Sequence, residues 1–227
     1  MRYGRTVRAA FISRPNRFVA FVSLEGETIG VHVKNTGRCR ELLVPGAVVI
    51  LSDSGNPQRK YRYDLVAVYK GNLLVNMDSQ APNTVFREWL ESEKPFGEGA
   101  EIYQEYVLGD SRFDFMLLFN ERRMLIEVKG VTLEHDGRCR FPDAPTERGT
   151  KHLRGLRESL KEGYSSYVAF VVQMEGMRDF GPNEETDPQF ASELRSAAES
   201  GVGVLCLGCH VEEDSISITH MVPCDHS

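Results

Sequence analysis

Ser111-Arg-Phe-Asp-Phe-Met-Leu-Leu-Phe-Asn-Glu-Arg-Arg-Met-Leu-Ile-Glu-Val-Lys-Gly130 decides how the chain is read. Two apolar runs flank a polar break at Asn120-Glu121, the pattern of a β-hairpin. With a side-chain period of two, Phe113, Phe115, Leu117 and Phe119 share one face of the first strand, leaving Asp114 on the other with Met116 and Leu118. In the second strand Met124, Ile126 and Val128 share a face, so Glu127 and Lys129 point together to the opposite one. Charged groups inside apolar strands are costly to desolvate unless they are paired or bound to a metal.

Two explanations follow. In the structural one, Glu127 and Lys129 form an exposed pair on an edge strand and Asp114 is solvated. In the catalytic one, the carboxylates of Asp114 and Glu127, the latter 13 residues further on, hold Mg²⁺ or Mn²⁺ through oxygen. Lys129 then orients or deprotonates the water that attacks phosphorus, while the ion lowers the pKa of that water and neutralises phosphate charge.

Around the hairpin, helix and strand alternate. Residues 84–93 carry Val85, Phe86, Trp89 and Leu90 at helical spacing, and residues 146–163 carry Leu153, Leu156 and Leu160 on one face. A strand at 167–173, a helix at 188–200 and a strand at 202–207 complete a mixed sheet flanked by helices. Arg148 and Lys151 lie opposite the leucine stripe, a solvated face on the simplest reading. The first turn of that helix could still bring Glu147, Arg148 or Lys151 to the rim of the site, Lys151 being preferred.

The first 80 residues read as short strands instead, at 5–13, 17–23, 27–33, 47–51, 61–69 and 73–76, with breaks such as Arg14-Pro15-Asn16 and Pro45-Gly46. That spacing predicts a small closed barrel of the OB type, whose strand face and loops bind oligonucleotides. Ala81-Pro82-Asn83-Thr84 offers a turn and a helix cap, so the expected domains are 1–80 and 81–227. The expected fold class is α/β (α+β overall): an OB-like β-barrel followed by a mixed sheet flanked by helices.

Charge divides along the same line. Residues 1–80 hold 12 Lys+Arg against 6 Asp+Glu, whereas 81–227 hold 15 against 27, so only the first half suits a polyanion. Its densest basic groups are Lys34, Arg38 and Arg40, then Arg59, Lys60 and Arg62; they either contact phosphate or are simply solvated. The accompanying rings, among them Phe18, Phe21, Tyr61 and Tyr63, either fill the barrel or stack bases. A 41% hydrophobic composition excludes long disorder, and no apolar stretch approaches the roughly 20 residues that span a bilayer. The basic N-terminus breaks at Ser13-Arg14-Pro15 before an export-signal core accumulates, so the expectation is a cytoplasmic protein without membrane contact, with homo-oligomers left open. Five cysteines, an odd number, point to reduced thiols. Cys206-Leu-Gly-Cys209-His210 fits a haem-attachment pattern, and Cys224 with His226 would add zinc ligands. Both are disfavoured, because alternate strand faces separate residues 206 and 209.

The order Asp114…Glu127-Val-Lys129 resembles the active-site core of the PD-(D/E)XK nuclease superfamily. More narrowly, Ser111-Arg-Phe-Asp-Phe-Met, Ile126-Glu-Val-Lys-Gly-Val-Thr-Leu133 and Phe141-Pro-Asp-Ala-Pro-Thr-Glu-Arg-Gly-Thr-Lys-His-Leu-Arg154 look like the sugar fermentation stimulation protein family, with Asn35-Thr-Gly37 and Arg59-Lys-Tyr61 fitting too. The resemblance spans essentially the whole chain. It implies an OB-like domain, a nuclease-like domain and binding to DNA, single- or double-stranded, with a regulatory label tied to sugar metabolism. It also implies Asp114 and Glu127 as metal ligands, the carbonyl of Val128 as a third, and Lys129 as the catalytic lysine. A further acid from the first core helix would be Glu88, with Glu105 as runner-up. The superfamily's leading Pro is absent, Phe113 standing before Asp114. Two functions from different classes remain: a Mg²⁺-dependent nuclease, and a non-catalytic DNA-binding regulator that keeps the fold as scaffold.

Overall fold

The computed structural model describes residues 1–35 and 37–225. Six strands come first: β1 (Thr6–Asn16), β2 (Val19–Leu24), β3 (Glu27–Val33), β4 (Val48–Asp53), β5 (Tyr63–Lys70) and β6 (Leu73–Asn76). β1 pairs antiparallel with β2 and β4, β2 with β3, and β4 with β5; a parallel β3–β5 contact closes the ring. This is the expected OB-like barrel of five strands, with β6 appended to β5. Alternation sends Val22, Val31, Val49, Leu51, Leu65 and Val68 inward, each fully buried.

The second half opens with α1 (Ala81–Glu93), followed by β7 (Glu101–Leu108), β8 (Ser111–Phe119) and β9 (Arg122–Val131). Asn120 and Glu121 between β8 and β9 both take positive φ, 48° and 64°, as a two-residue hairpin turn matched to strand twist requires. Then come β10 (Leu133–His135), β11 (Arg138–Phe141), α2 (Glu147–Lys161), β12 (Ser165–Val172), β13 (Asp179–Pro182), α3 (Pro188–Glu199), β14 (Gly203–Glu212) and β15 (Ser215–Met221). The main sheet runs β15-β14-β12-β9-β8-β7, with β9, β12 and β14 parallel at its centre. A small sheet, β10-β11-β13, lies beside it.

Each sheet face has its own helix layer. Val85, Phe86 and Leu90 of α1 pack on Phe115, Leu117, Ile126, Ala169 and Val171. Leu153 and Leu156 of α2, with Phe190 and Leu194 of α3, pack on Leu125, Val168 and Phe170, in a cluster continuous with the barrel interior. Burial of such side chains contributes roughly 1.5–3 kcal/mol apiece. Asp187 sets the entry of both helices on that face: Oδ1 accepts from Phe190 N at 2.9 Å at the start of α3, and Oδ2 from Thr146 N at 2.8 Å, the N-cap of α2.

The two halves are joined by buried polar bonds. Gln173 Nε2 donates to Asn76 Oδ1 at 2.9 Å and to the Asp78 carbonyl at 3.0 Å. Within the first half, Lys34 Nζ donates to Asp78 Oδ2 at 2.6 Å, a carboxylate with no solvent exposure. Beside these, Asn35 and Gly37 form a tight turn, Asn35 Oδ1 accepting from Gly37 N at 2.7 Å, and Arg14 donates to the carbonyls of Asn35, Gly37 and Arg38. Thr36 within that motif lies outside the described residues.

One face assignment requires correction. Phe113 does not join Phe115 and Leu117 but packs in the opposite cluster. Its Cζ stands 3.0 Å from where a Cβ on Gly155 of α2 would be, so glycine there lets the ring approach the helix. The cause is the early end of the β8–β9 ladder, whose last partners toward the start of β8 are Phe115 and Ile126. Beyond them β8 is paired only with β7.

Candidate active site

Where the β8–β9 ladder stops, the two strands form a fork, and Asp114 and Glu127 are the next residues into it. Asp114 replaces the missing ladder with its side chain: Oδ2 accepts from Val128 N at 2.7 Å, and Oδ1 accepts from Asn83 Nδ2 at 2.8 Å. In an extended strand a residue's N–H and C=O leave on the same side, so the Val128 carbonyl also faces the fork. Glu127 is 3% exposed. Its Oε1 accepts from Lys129 Nζ and from His152 Nδ1, whereas Oε2 is buried without a hydrogen-bond partner among the described residues.

The surroundings of these groups separate the carboxyls. Burial, reinforced by the charge of Glu127, pushes the Asp114 carboxyl up against the opposing bonds from Val128 and Asn83. Burial pushes Glu127 up as well, but His152 and Lys129 outweigh it and hold the group below the usual carboxylate range. Glu127 is therefore an anion at neutral pH with one oxygen unused. His152 sits on the buried stripe of α2, and Arg148 Nε donates to its Nε2 at 3.4 Å.

Asp114, Glu127, Val128 and Lys129 thus converge, and the edge-strand explanation fails because β9 lies inside the sheet between β8 and β12. Among the described residues no three His, Cys, Asp or Glu side chains are grouped to hold a metal. Glu88 is not part of the fork. It is one of the exposed groups of α1 and pairs with the Met1 amino group, which also meets the Ile216 carbonyl on β15, at the opposite edge of the sheet from β7. The reason is helical phase: Asn83 at the start of α1 faces Asp114, and five residues further on the side chain has turned away. Glu105 lies on the outer strand β7 and pairs with Arg112 at 2.9 Å. Lys151 is exposed and reaches the Asp110 carbonyl at 3.5 Å, away from Glu127, because the next residue of α2, His152, takes the inward direction. Asn83, His152 and Arg148 supply contacts that the sequence reading did not assign to them. A histidine within the 149, 152, 153, 156 stripe was the available signal for His152.

The basic residues of the barrel separate into two groups. Lys34 and Arg59 are spent internally, Lys34 on Asp78 and Arg59 on both oxygens of Asp64 at 2.9 and 2.7 Å, so these two are corrected: they are not free phosphate contacts. Arg62 pairs with Asp53 at 2.6 Å but keeps its side chain 64% exposed, a pair that solvent weakens. Arg38, Arg40 and Lys60 are exposed and their side chains have no carboxylate partner among the described residues; only the Arg38 backbone amide meets one, Asp143 Oδ2 at 3.2 Å. At the other end of the chain, Cys206 and Cys209 lie on one uninterrupted strand, β14, and enter opposite cores, while His210 turns outward to Glu175 and Glu212. His226 lies outside the described residues.

Comparison with known proteins agrees with this architecture. The family described as "SfsA N-terminal OB domain" matches residues 12–77, and "Sugar fermentation stimulation protein RE domain" matches residues 80–215. A sugar fermentation stimulation protein homolog of Desulfitobacterium hafniense is 51% identical over 216 residues, covering 95% of this chain and 94% of that one. The Clostridium beijerinckii homolog is 46% identical over 222 residues, covering 98% of each. The solved structure of Pyrococcus furiosus SfsA in complex with Ca²⁺ superposes with a TM-score of 0.90 at 26% identity, covering 99% of this chain and 98% of that chain. No helix of the described residues is long and apolar enough to cross a membrane.

Proposed function

The chain belongs to the sugar fermentation stimulation protein family, and on that premise we propose that it binds DNA and hydrolyses its phosphodiester bonds with a divalent cation, Mg²⁺ or Mn²⁺, at the fork. The observation that carries this reading is Glu127 Oε2, a buried carboxylate oxygen without a partner beside a second carboxylate. A buried charge left half-unsatisfied is expensive in a structural role, and it fits a hard, oxygen-seeking cation. Asp114, Glu127 and the Val128 carbonyl would hold the ion. When bound, it supplies an activated water and neutralises charge on the phosphate. The Ca²⁺ of the Pyrococcus furiosus relative supports an ion of this class.

The chain's own residues have separable tasks. Asn83 and the Val128 amide fix the Asp114 carboxylate. His152, itself held by Arg148, orients Glu127 through Oε1 and leaves Oε2 without a protein partner among the described residues. Lys129 has three N–H bonds, with Glu127 Oε1 and His152 Nδ1 (3.4 Å) within reach of its Nζ, which leaves one to donate to the attacking water or to a phosphate oxygen. Asp114 and Glu127 bind, Lys129 orients, and His152 positions. The reduced thiols suit a cytoplasmic protein.

Incubation of the purified protein with labelled single-stranded, double-stranded and branched DNA and Mg²⁺ or Mn²⁺ tests this. Cleavage that Asp114→Asn and Glu127→Gln each abolish supports it; no cleavage of any substrate with either ion refutes it. One observation favours the non-catalytic alternative: α1 presents Asn83, not an acid, to the fork. That alternative requires DNA affinity to survive Glu127→Ala without any turnover in the native protein.

A further inference from the structure

A cleft of about 290 Å³ opens on the seam between the two halves, where the parallel strands β9 and β12 stop. Val131 and Val172 are the last residues paired there, and Thr132 and Gln173 follow them into the cleft. Ligands of open α/β sheets gather outside the carboxyl ends of the strands. The other walls belong to elements that also build the fork: Gly130 follows Lys129, Ser79 leads into α1 with its Asn83, and Thr146 caps α2, which carries His152. Strand rise places Gly130 roughly 7 Å beyond Val128, a distance that one nucleoside bridges.

Two buried polar groups in this cleft lack partners. Thr132 is 8% exposed, and its hydroxyl makes no hydrogen bond to the described residues. Gln173 is 1% exposed; it spends Nε2 on Asn76 and Asp78, while Oε1 accepts from no donor among the described residues. Gly130 makes room for that oxygen, because a Cβ at 130 would collide with it. Asp143 adds a carboxylate whose Oδ2 accepts from the Arg38 amide at 3.2 Å. The barrel loop can close on it only because residue 37 is glycine: a Cβ there would stand 2.8 Å from Asp143 Oδ2. Phe141, Pro142 and Pro145 supply the apolar lining.

Buried polar atoms without partners are costly unless a ligand completes them. The carboxylate repels phosphate, so the cleft suits a neutral ring. Gln173 Oε1 and Asp143 are acceptors, which match an exocyclic amino group and leave a keto oxygen facing them unpaired; the Thr132 hydroxyl serves a donor or an acceptor. We infer that the cleft takes one unstacked nucleobase bearing an amino group, cytosine or adenine, from a strand whose phosphate lies at the fork. This rests on the reading that the chain handles DNA and adds a base preference beside the fork.

Deoxycytidine and deoxyuridine have the same shape, exchange an amino for a keto group and carry no phosphate, so calorimetric titration with them reads the cleft apart from the fork. Deoxycytidine is expected to bind about tenfold tighter. Asp143→Asn, whose amide can donate to a keto oxygen, should shrink that preference to less than about threefold. Thr132→Val should weaken both nucleosides several-fold without lowering Tm, since the lost hydroxyl bonds nothing in the free protein. The same order between oligodeoxycytidylate and oligodeoxyuridylate of about 20 nucleotides, read by fluorescence anisotropy in EDTA, ties the cleft to a strand. No binding of either nucleoside, equal binding of both, a preference that neither variant changes, or one confined to free nucleosides overturns the inference. Metal-dependent DNA cleavage by a protein indifferent to the two nucleosides would sink the cleft and keep the fork. Amino-selective binding by a protein that cuts nothing would keep the cleft and sink the nuclease.

Discussion

Replacing His152 with Leu tests whether Glu127 is held as a buried anion. In the native chain Glu127 Oε1 has two donors and Oε2 none, and the side chains of His152 and Glu127 are 8% and 4% exposed, so water does little to screen the contact. Leucine roughly fills the space of the imidazole but removes one of the two donors. A hydrogen bond to a charged group is worth about 1.5–3 kcal/mol, and for a chain of this size each kcal/mol lowers Tm by about 2–4 °C. His152→Leu should therefore lower Tm by about 3–12 °C, measured by scanning calorimetry in EDTA. The coupling is separated by a cycle with Glu127→Gln: once the charge is gone the histidine has less to hold, so the two penalties should fall short of additivity by at least about 1 kcal/mol. A single variant melting within about 1 °C of the native protein, or strictly additive penalties, would refute the claim that His152 secures this carboxylate.

Other expectations follow from the same contacts. Lys34→Met strands Asp78, which has no exposure, and should cost about 3–5 kcal/mol by urea unfolding; replacing Asp78 with Asn in the same chain should recover part of it. Burial raises the Asp64 carboxyl, but Arg59 and His32 outweigh it and hold it below its ordinary value, so the stability it adds is complete above the unfolded carboxylate pKa of about 3.9 and disappears as pH falls through the lower folded value. The Tm gap between the native protein and Asp64→Asn should accordingly be constant above about pH 5 and close toward pH 3; a gap that widens on acidification contradicts the assignment. Burial pushes the thiols of Cys39, Cys139 and Cys209 up to about 12 each, so a thiol reagent at pH near 8 should leave these three unmodified until guanidinium is added.

Much of the fold could be read from local pattern. The six strands of the first half and the alternation of helix and strand after residue 80 come from periodicity and turn residues, which act over a few positions. So does the hairpin, with Asn120 and Glu121 at its turn. Tertiary decisions were not legible. Nothing local says that the β8–β9 ladder ends at Phe115 and Ile126, yet that ending swings Phe113 to the other face and turns Asp114 toward Val128. Ala81-Pro82-Asn83-Thr84 read as a turn and a helix cap; α1 begins at Ala81 instead, and the Asn83 amide goes to Asp114. His152 was hidden because a histidine in an apolar stripe looks the same whether it fills a core or steers a carboxylate. The barrel cations were counted correctly but not their partners, since Asp53, Asp64 and Asp78 become neighbours only when the strands pair.

Crystals grown with Mn²⁺ and measured at its absorption edge would test the fork directly. The account predicts one anomalous peak within about 2.0–2.6 Å of Glu127 Oε2 and an Asp114 carboxylate oxygen, absent from Glu127→Gln crystals. Glu127 Oε2 closed on a protein donor, with no ion between the two acids at concentrations that saturate binding elsewhere, would contradict it.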